Sequence, residues 1–129
     1  MQPNEWQVLI VEDEEDSLEV LQSILTHKGI ASTGVSSAEQ ALRIIDSINP
    51  NLIIIDLSLP MMDGWTFLQR LQGNPSLKDV PKIAITAFYT PIVAAKAIAH
   101  GFDAFFPKPL DVVSFVQDLD MIVAKKRAG

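Results

Sequence analysis

Three short apolar runs constrain this chain more than any other feature: Val8-Leu9-Ile10-Val11, Leu52-Ile53-Ile54-Ile55 and Ile83-Ala84-Ile85. Each is continuous rather than alternating. Alternation marks a strand with one wet face, whereas an unbroken Val/Ile run marks a strand buried on both faces, as in a parallel sheet covered by helices. Two weaker strands, residues 30–35 and 104–106, bring the set to five. The Ser and Thr of the 30–35 segment suit a sheet edge, where burial is less complete.

Helical patterns fill the gaps. Leu18, Leu21, Ile24 and Leu25 recur at helical spacing, and His27-Lys28-Gly29 closes that helix with cations in the last turn and glycine just past the end. Ser36-Ser37-Ala38-Glu39 reads as a capping box opening a helix that carries Ala41, Leu42, Ile45 and Ile48, and Asn49-Pro50-Asn51 breaks it. A third helix is expected over residues 64–71, ended by Gly73-Asn74-Pro75. Thr90-Pro91 predicts an N-cap with proline in the first helical position, for a helix running to His100 and stopping at Gly101. The last helix is expected over residues 111–126. Strand and helix alternate five times, which predicts an α/β fold: a doubly wound parallel sheet with right-handed crossovers.

At 129 residues and 48% apolar, the chain is expected to form one domain, residues 1–129, with a real core. Its net charge of −6 argues against direct nucleic-acid binding, which needs clustered cations to displace phosphate counterions. The absence of cysteine excludes disulfides and thiolate metal sites. The first apolar run is too short for a signal-peptide core or a membrane span, so a soluble, cytoplasmic protein without membrane insertion is expected.

Open parallel sheets place ligands beyond the carboxyl ends of their strands. Here those ends carry Glu12-Asp13, Asp56, Thr86-Ala87 and Pro107-Lys108-Pro109. Clustered carboxylates repel one another unless a cation neutralises them. Hard oxygen donors favour Mg²⁺, which takes one or two carboxylates together with water and phosphate oxygens. A carboxylate can also serve as a nucleophile and become an acyl phosphate. Lysine offers a compact positive charge to phosphoryl oxygens, and a threonine hydroxyl a hydrogen bond. The bland reading of residues 14–16 is a solvated helix start, since carboxylates favour helix N-termini.

With these residues in place, the chain resembles the receiver domains of two-component response regulators, chemotaxis regulators among them. The resemblance rests on Val8-Leu9-Ile10-Val11-Glu12-Asp13, Asp56-Leu57-Ser58-Leu59-Pro60-Met61-Met62-Asp63-Gly64, Ile83-Ala84-Ile85-Thr86-Ala87 and Phe105-Phe106-Pro107-Lys108-Pro109, four segments in register over residues 7–124. It implies a flavodoxin-like sheet of strand order 2-1-3-4-5 with five helices. It implies Asp56 as phosphoacceptor, and Mg²⁺ held by Glu12, Asp13, Asp56 and the Ser58 backbone carbonyl. Glu12 stands where many members carry aspartate, and its longer arm suits contact with the metal through water. Thr86 and Lys108 would bind the phosphoryl group. Thr86 and Phe105 would form the switch pair, Phe105 acting by packing alone because it lacks a tyrosine's hydroxyl. Ser58 and Phe88, two residues past Asp56 and Thr86, would modulate phosphoryl lifetime. The implied donor is a sensor histidine kinase or a histidine phosphotransfer protein. The implied output is a downstream protein, or a second copy, bound through the face of the fourth helix, fifth strand and fifth helix.

Two other readings stand beside this one. An enzyme with an aspartate nucleophile usually needs an acid/base carboxylate two residues on, and that position is Ser58. A pseudo-receiver would act only as an interaction module, without need of the Asp13, Asp56, Thr86 and Lys108 set. The fourth helix is ambiguous as well: between Ile92 and Ala99 only Lys96 is polar. Either its alanines are harmless on the surface or the helix presents a partner face.

Overall fold

In the computed structural model, which describes residues 2–59 and 62–128, the three apolar runs become the centre of one parallel sheet. The strands are β1 (Gln7–Val11), β2 (Ala31–Val35), β3 (Leu52–Asp56), β4 (Lys82–Thr86) and β5 (Ala104–Pro107). They lie in the order β2-β1-β3-β4-β5, all pairs parallel. The helices are α1 (Glu15–His27), α2 (Ala38–Ile48), α3 (Gly64–Gln72), α4 (Pro91–His100) and α5 (Phe115–Ala128).

The two-residue period of a strand explains why the runs are continuous. Leu9 and Val11 of β1, Ile53 and Ile55 of β3, and Ala84 of β4 pack on one face with Ala38, Ala41 and Ile45 of α2, Phe67, Leu68 and Leu71 of α3, and Ala97 of α4. Val8 and Ile10, Leu52 and Ile54, and Ile83 and Ile85 pack on the other with Leu21, Ile24 and Leu25 of α1 and Phe115, Val116, Leu119 and Val123 of α5. Both faces are dry, so both sets must be apolar. Full burial of each such aliphatic side chain favours the folded state by roughly 1.5–3 kcal/mol. β2 is an edge and only partly buried, as its Ser and Thr foretold.

Local signals set most helix ends. Thr90 Oγ1 accepts from the Val93 N–H, with Pro91 in the first position of α4. Gly29 and Gly101 end their helices at positive φ, and Asn49 closes α2 in the left-handed region. Two expectations need correction. The cap of α2 is Ser37 with Gln40, not Ser36 with Glu39: Ser37 Oγ accepts from the Gln40 N–H, and Gln40 reaches back to the Ser36 N–H. The fifth helix begins at Phe115, because Asp111 Oδ1 accepts from the Val113 and Ser114 N–H groups and holds those residues in a turn. Among the described residues no helix is long and apolar enough to cross a membrane.

Candidate functional site

β1 and β3 are adjacent, so the residues that follow their apolar stretches meet at one edge of the sheet. Carboxylate oxygens of Glu12, Asp13 and Asp56 all lie within 4.8 Å of one another. Glu12 and Asp56 are buried, at 1% and 4% exposure, while Asp13 is exposed. Lys108, from the end of β5, brings its ammonium against Glu12 Oε1 and to 3.3 Å from Asp56 Oδ2. Its peptide to Pro109 is cis. The Ser58 N–H donates to Asp56 Oδ1 at 2.9 Å.

Thr86 ends β4 and is buried; its Oγ1 accepts from the Phe88 N–H at 3.1 Å, which leaves the hydroxyl proton free to donate. Thus Glu12, Asp13, Asp56 and Lys108 are brought together, with Ser58 attached through its backbone and Thr86 two strands from β1 at the same edge. Phe105 sits half-buried in β5, its ring 5.4 Å from that of Tyr89. Phe88 is 74% exposed. Pro60 and Met61 of the segment beginning at Asp56 lie outside the described residues.

The electrostatics divide the two buried carboxyls. Burial first, and then the adjoining Asp56 carboxylate, push Glu12 up to about 8 despite the Lys108 ammonium. Burial also opposes ionisation of Asp56, but Glu12, the Ser58 N–H and Lys108 together outweigh it and hold that carboxyl below its ordinary value. At neutral pH Glu12 therefore keeps its proton and Asp56 is the charged member. Burial disfavours the Lys108 charge too, yet Glu12 and Asp56 more than compensate and raise its pKa.

A divalent cation fits this donor set. Glu12 Oε2 is buried with no hydrogen-bond partner among the described residues, and it belongs to the cluster of three carboxylates. Once Glu12 gives up its proton, this orphaned oxygen beside two further hard donors is what a cation, or a water bound to it, would satisfy in the proton's place.

Gly64 shapes the loop that follows Asp56. Its N–H donates to Leu57 O at 3.2 Å, and a Cβ there would lie 2.7 Å from Asp56 O and 2.8 Å from Leu57 Cα. Backbone cannot yield as a side-chain tip does. We expect Gly64→Ala to destabilise the fold by about 1–3 kcal/mol in urea unfolding. Gly34→Ala, whose Cβ would come nearest the Leu18 side chain rather than backbone, should cost less than half as much. Equal costs would show that the loop adapts freely.

Sequence reading passed over two features. Lys82, the first residue of β4, is buried. Trp6 is buried ahead of β1 and packs under α1 and α5. Spacing alone signalled neither, because each residue lies at an element boundary. The apolar surface around α4, which the sequence left ambiguous, is more than a matter of alanines: Phe88, Tyr89, Ile92 and Ile98 are all at least half exposed.

Residues 8–120 match the response regulator receiver domain family. The polar-differentiation response regulator DivK of Brucella ovis is 28% identical over 112 residues, 87% of this chain and 91% of that protein. The signal receiver domain of a signal transduction histidine kinase from Syntrophus aciditrophicus superposes with a TM-score of 0.82 at 30% identity, covering 93% of this chain and 91% of that one. A solved chain from Chloroflexus aurantiacus reaches a TM-score of 0.87 at 28% identity, covering 92% and 98%. Family match, strand order and the acidic pocket agree: the chain belongs to the response regulator receiver domains of two-component signalling.

Proposed function

We propose that the chain, acting as one receiver unit, takes a phosphoryl group on Asp56 in the presence of Mg²⁺ and changes the surface it offers to a partner. The observation that carries this reading is the convergence of three carboxylates and the Lys108 ammonium at the carboxyl edge of the sheet. Asp56 is the ionised member, so its oxygen carries the negative charge that makes it a nucleophile toward phosphorus. The donor is a phosphohistidine of a sensor kinase or phosphotransfer protein. The bond from imidazole nitrogen to phosphorus breaks as the bond from Asp56 oxygen to phosphorus forms, and the imidazole leaves with the electron pair.

Lys108 faces the oxygens of Asp56 and places a positive charge where the phosphoryl oxygens arrive. The Thr86 hydroxyl, with its proton unspent, donates to the same group. Glu12, Asp13, Asp56 and the Ser58 carbonyl would hold Mg²⁺, and the bound ion supplies neutralisation of the negative charge that gathers between carboxylate and phosphoryl oxygens. Ser58 and Phe88, two residues past Asp56 and Thr86, would be the positions that tune phosphoryl loss.

The added charge draws Thr86 toward the site and re-biases Phe105, shifting the balance between two conformations of the face made by α4, β5 and α5. Phe88 and Ile92, 74% and 80% exposed, give that face apolar area for a downstream protein or a second copy. A cytoplasmic setting follows from a kinase donor.

The test is incubation with acetyl phosphate, with Mg²⁺ or with EDTA, followed by intact mass. We expect a gain of one phosphoryl group in Mg²⁺ and none in EDTA. No gain in either would favour the phosphorylation-independent interaction module.

A further inference from the structure

At the amino-terminal edge of the sheet, away from the acidic pocket, lysines gather. Lys82 opens β4, Lys78 follows the 3-10 turn Pro75–Leu77, and Lys126 lies in the last turn of α5. With Gln72 and Asn74 they line an open pocket of about 290 Å³ that contains no carboxylate among its described lining residues. Lys125 lines the adjoining depression, so four of the seven lysines of a chain with net charge −6 stand at this edge. Asp103, which with Asp79 lines the adjoining depression, is already engaged: Oδ1 accepts from Lys126 Nζ at 3.0 Å and Oδ2 from the Lys82 backbone N–H at 2.9 Å.

Lys82 is the strongest sign that something is to be bound. It is 5% exposed, yet of its three ammonium protons only one has an acceptor among the described residues, Leu77 O at 2.5 Å. Burial, and then the neighbouring Lys126, hold its pKa below the ordinary lysine value, with Asp103 and Asp79 opposing. A buried cation with unfilled donors is costly unless an acceptor occupies the space beside it. α3 and α4 both end here, where Gln72 Nε2 donates to His100 O at 2.8 Å. Their terminal carbonyls carry about half a negative charge each, so together with the Asp103 carboxylate bound to Lys126 they offset about two of the three ammonium charges and leave a net positive pocket.

We propose that this pocket binds a small phosphate-bearing anion, either inorganic phosphate or a compact phosphate monoester. Lysine recognises phosphate as a point charge, and a dianion satisfies more of these ammoniums than a carboxylate would. The volume lies at the lower end for ligand sites and suits no large cofactor. The site is separate from the acidic pocket, so its fate is independent of the phosphorylation reading.

The test is a nuclear magnetic resonance titration of the full chain without Mg²⁺. Inorganic phosphate and glycerol 3-phosphate are added in turn, with sodium chloride holding ionic strength constant. Saturable shifts are expected at the Gln72 side-chain amide and at the Asn74 and Gly101 N–H groups. Lys82→Met should abolish them. Should that variant not fold, Lys78→Ala combined with Lys126→Ala should weaken apparent affinity at least tenfold. Tighter binding of the monoester would identify it as the ligand, and equal binding would identify free phosphate. Linear shifts matched by chloride (an adventitious ion only), shifts confined to residues around Asp56 and Lys108, or unchanged affinity in the lysine variants would each overturn the proposal.

Discussion

Asp56→Asn is expected to take up no phosphoryl group from acetyl phosphate under conditions where the wild-type chain gains one, read by intact mass. The carboxamide cannot act as the nucleophile, because its nitrogen lone pair is delocalised and its oxygen carries no charge. The substitution is otherwise mild. Asparagine keeps the oxygen that accepts from the Ser58 N–H, and no packing group is lost from the buried strand end. Lys108→Ala tests the charge rather than the nucleophile. Removing one preorganised positive donor from a buried site slows the reaction by roughly 10²–10³-fold. Uptake in Lys108→Ala should therefore be slow but complete, whereas in Asp56→Asn it should be absent. A mass gain in Asp56→Asn equal to that of wild type would move the phosphoacceptor to another residue.

The second large effect is on stability, and its sign follows from Glu12. Its pKa is about 8 in the folded chain against an ordinary 4.5, so between those values the folded state holds a proton that the unfolded state has lost. Stability then falls as pH rises across that window. Asp56, held below its ordinary value, acts in the opposite sense, but its window lies near and below pH 4 and leaves the higher range to Glu12. A tenfold change in proton affinity is worth about 1.4 kcal/mol. Since Lys108 and Asp56 share the same network, a loss of roughly 2–4 kcal/mol between pH 5 and pH 9 is expected for the wild type in EDTA. Glu12→Gln should be nearly flat over that range and the more stable of the two at pH 9. Mg²⁺ should restore much of the wild-type loss at pH 9 by mass action. Urea unfolding at three pH values, with and without Mg²⁺, measures all of this; a wild type indifferent to pH would contradict the electrostatic account.

Much of the architecture was legible because the physics behind it is local. Leu52-Ile53-Ile54-Ile55 shows no alternation, as a strand buried on both faces requires. Thr90-Pro91 and Gly101 bracket α4 because a side-chain cap, a fixed φ and a left-handed terminus each require those residues. The errors arose where two local solutions compete. Ser36 and Ser37 followed by Glu39 and Gln40 satisfy the capping pattern in either register, and the structure adopts Ser37 with Gln40. Asp111 looks like the start of a helix but ties its own following N–H groups into a turn, which delays α5 to Phe115.

The meeting of Glu12, Asp13, Asp56 and Lys108 was legible from strand ends, since the topology sends every strand end to one edge. Their division of labour was not. That Glu12 holds a proton while Asp56 is charged depends on burial and on Lys108, which lies 96 residues from Glu12 in sequence. Lys82 was missed for a similar reason: at the first position of a strand it reads as a surface lysine, and only the packing of the neighbouring segments buries it.

Glu12, Asp13 and Asp56 are proposed to share one divalent cation. The most direct measurement is paramagnetic broadening of backbone amide resonances by substoichiometric Mn²⁺, competed by Mg²⁺. Broadening centred on residues 12–13 and 56–58, removed by excess Mg²⁺ and abolished in Asp13→Asn, is predicted. Broadening spread along Glu14, Glu15, Asp16 and Glu19 of the exposed acidic stretch, or unaffected by Asp13→Asn, would contradict it.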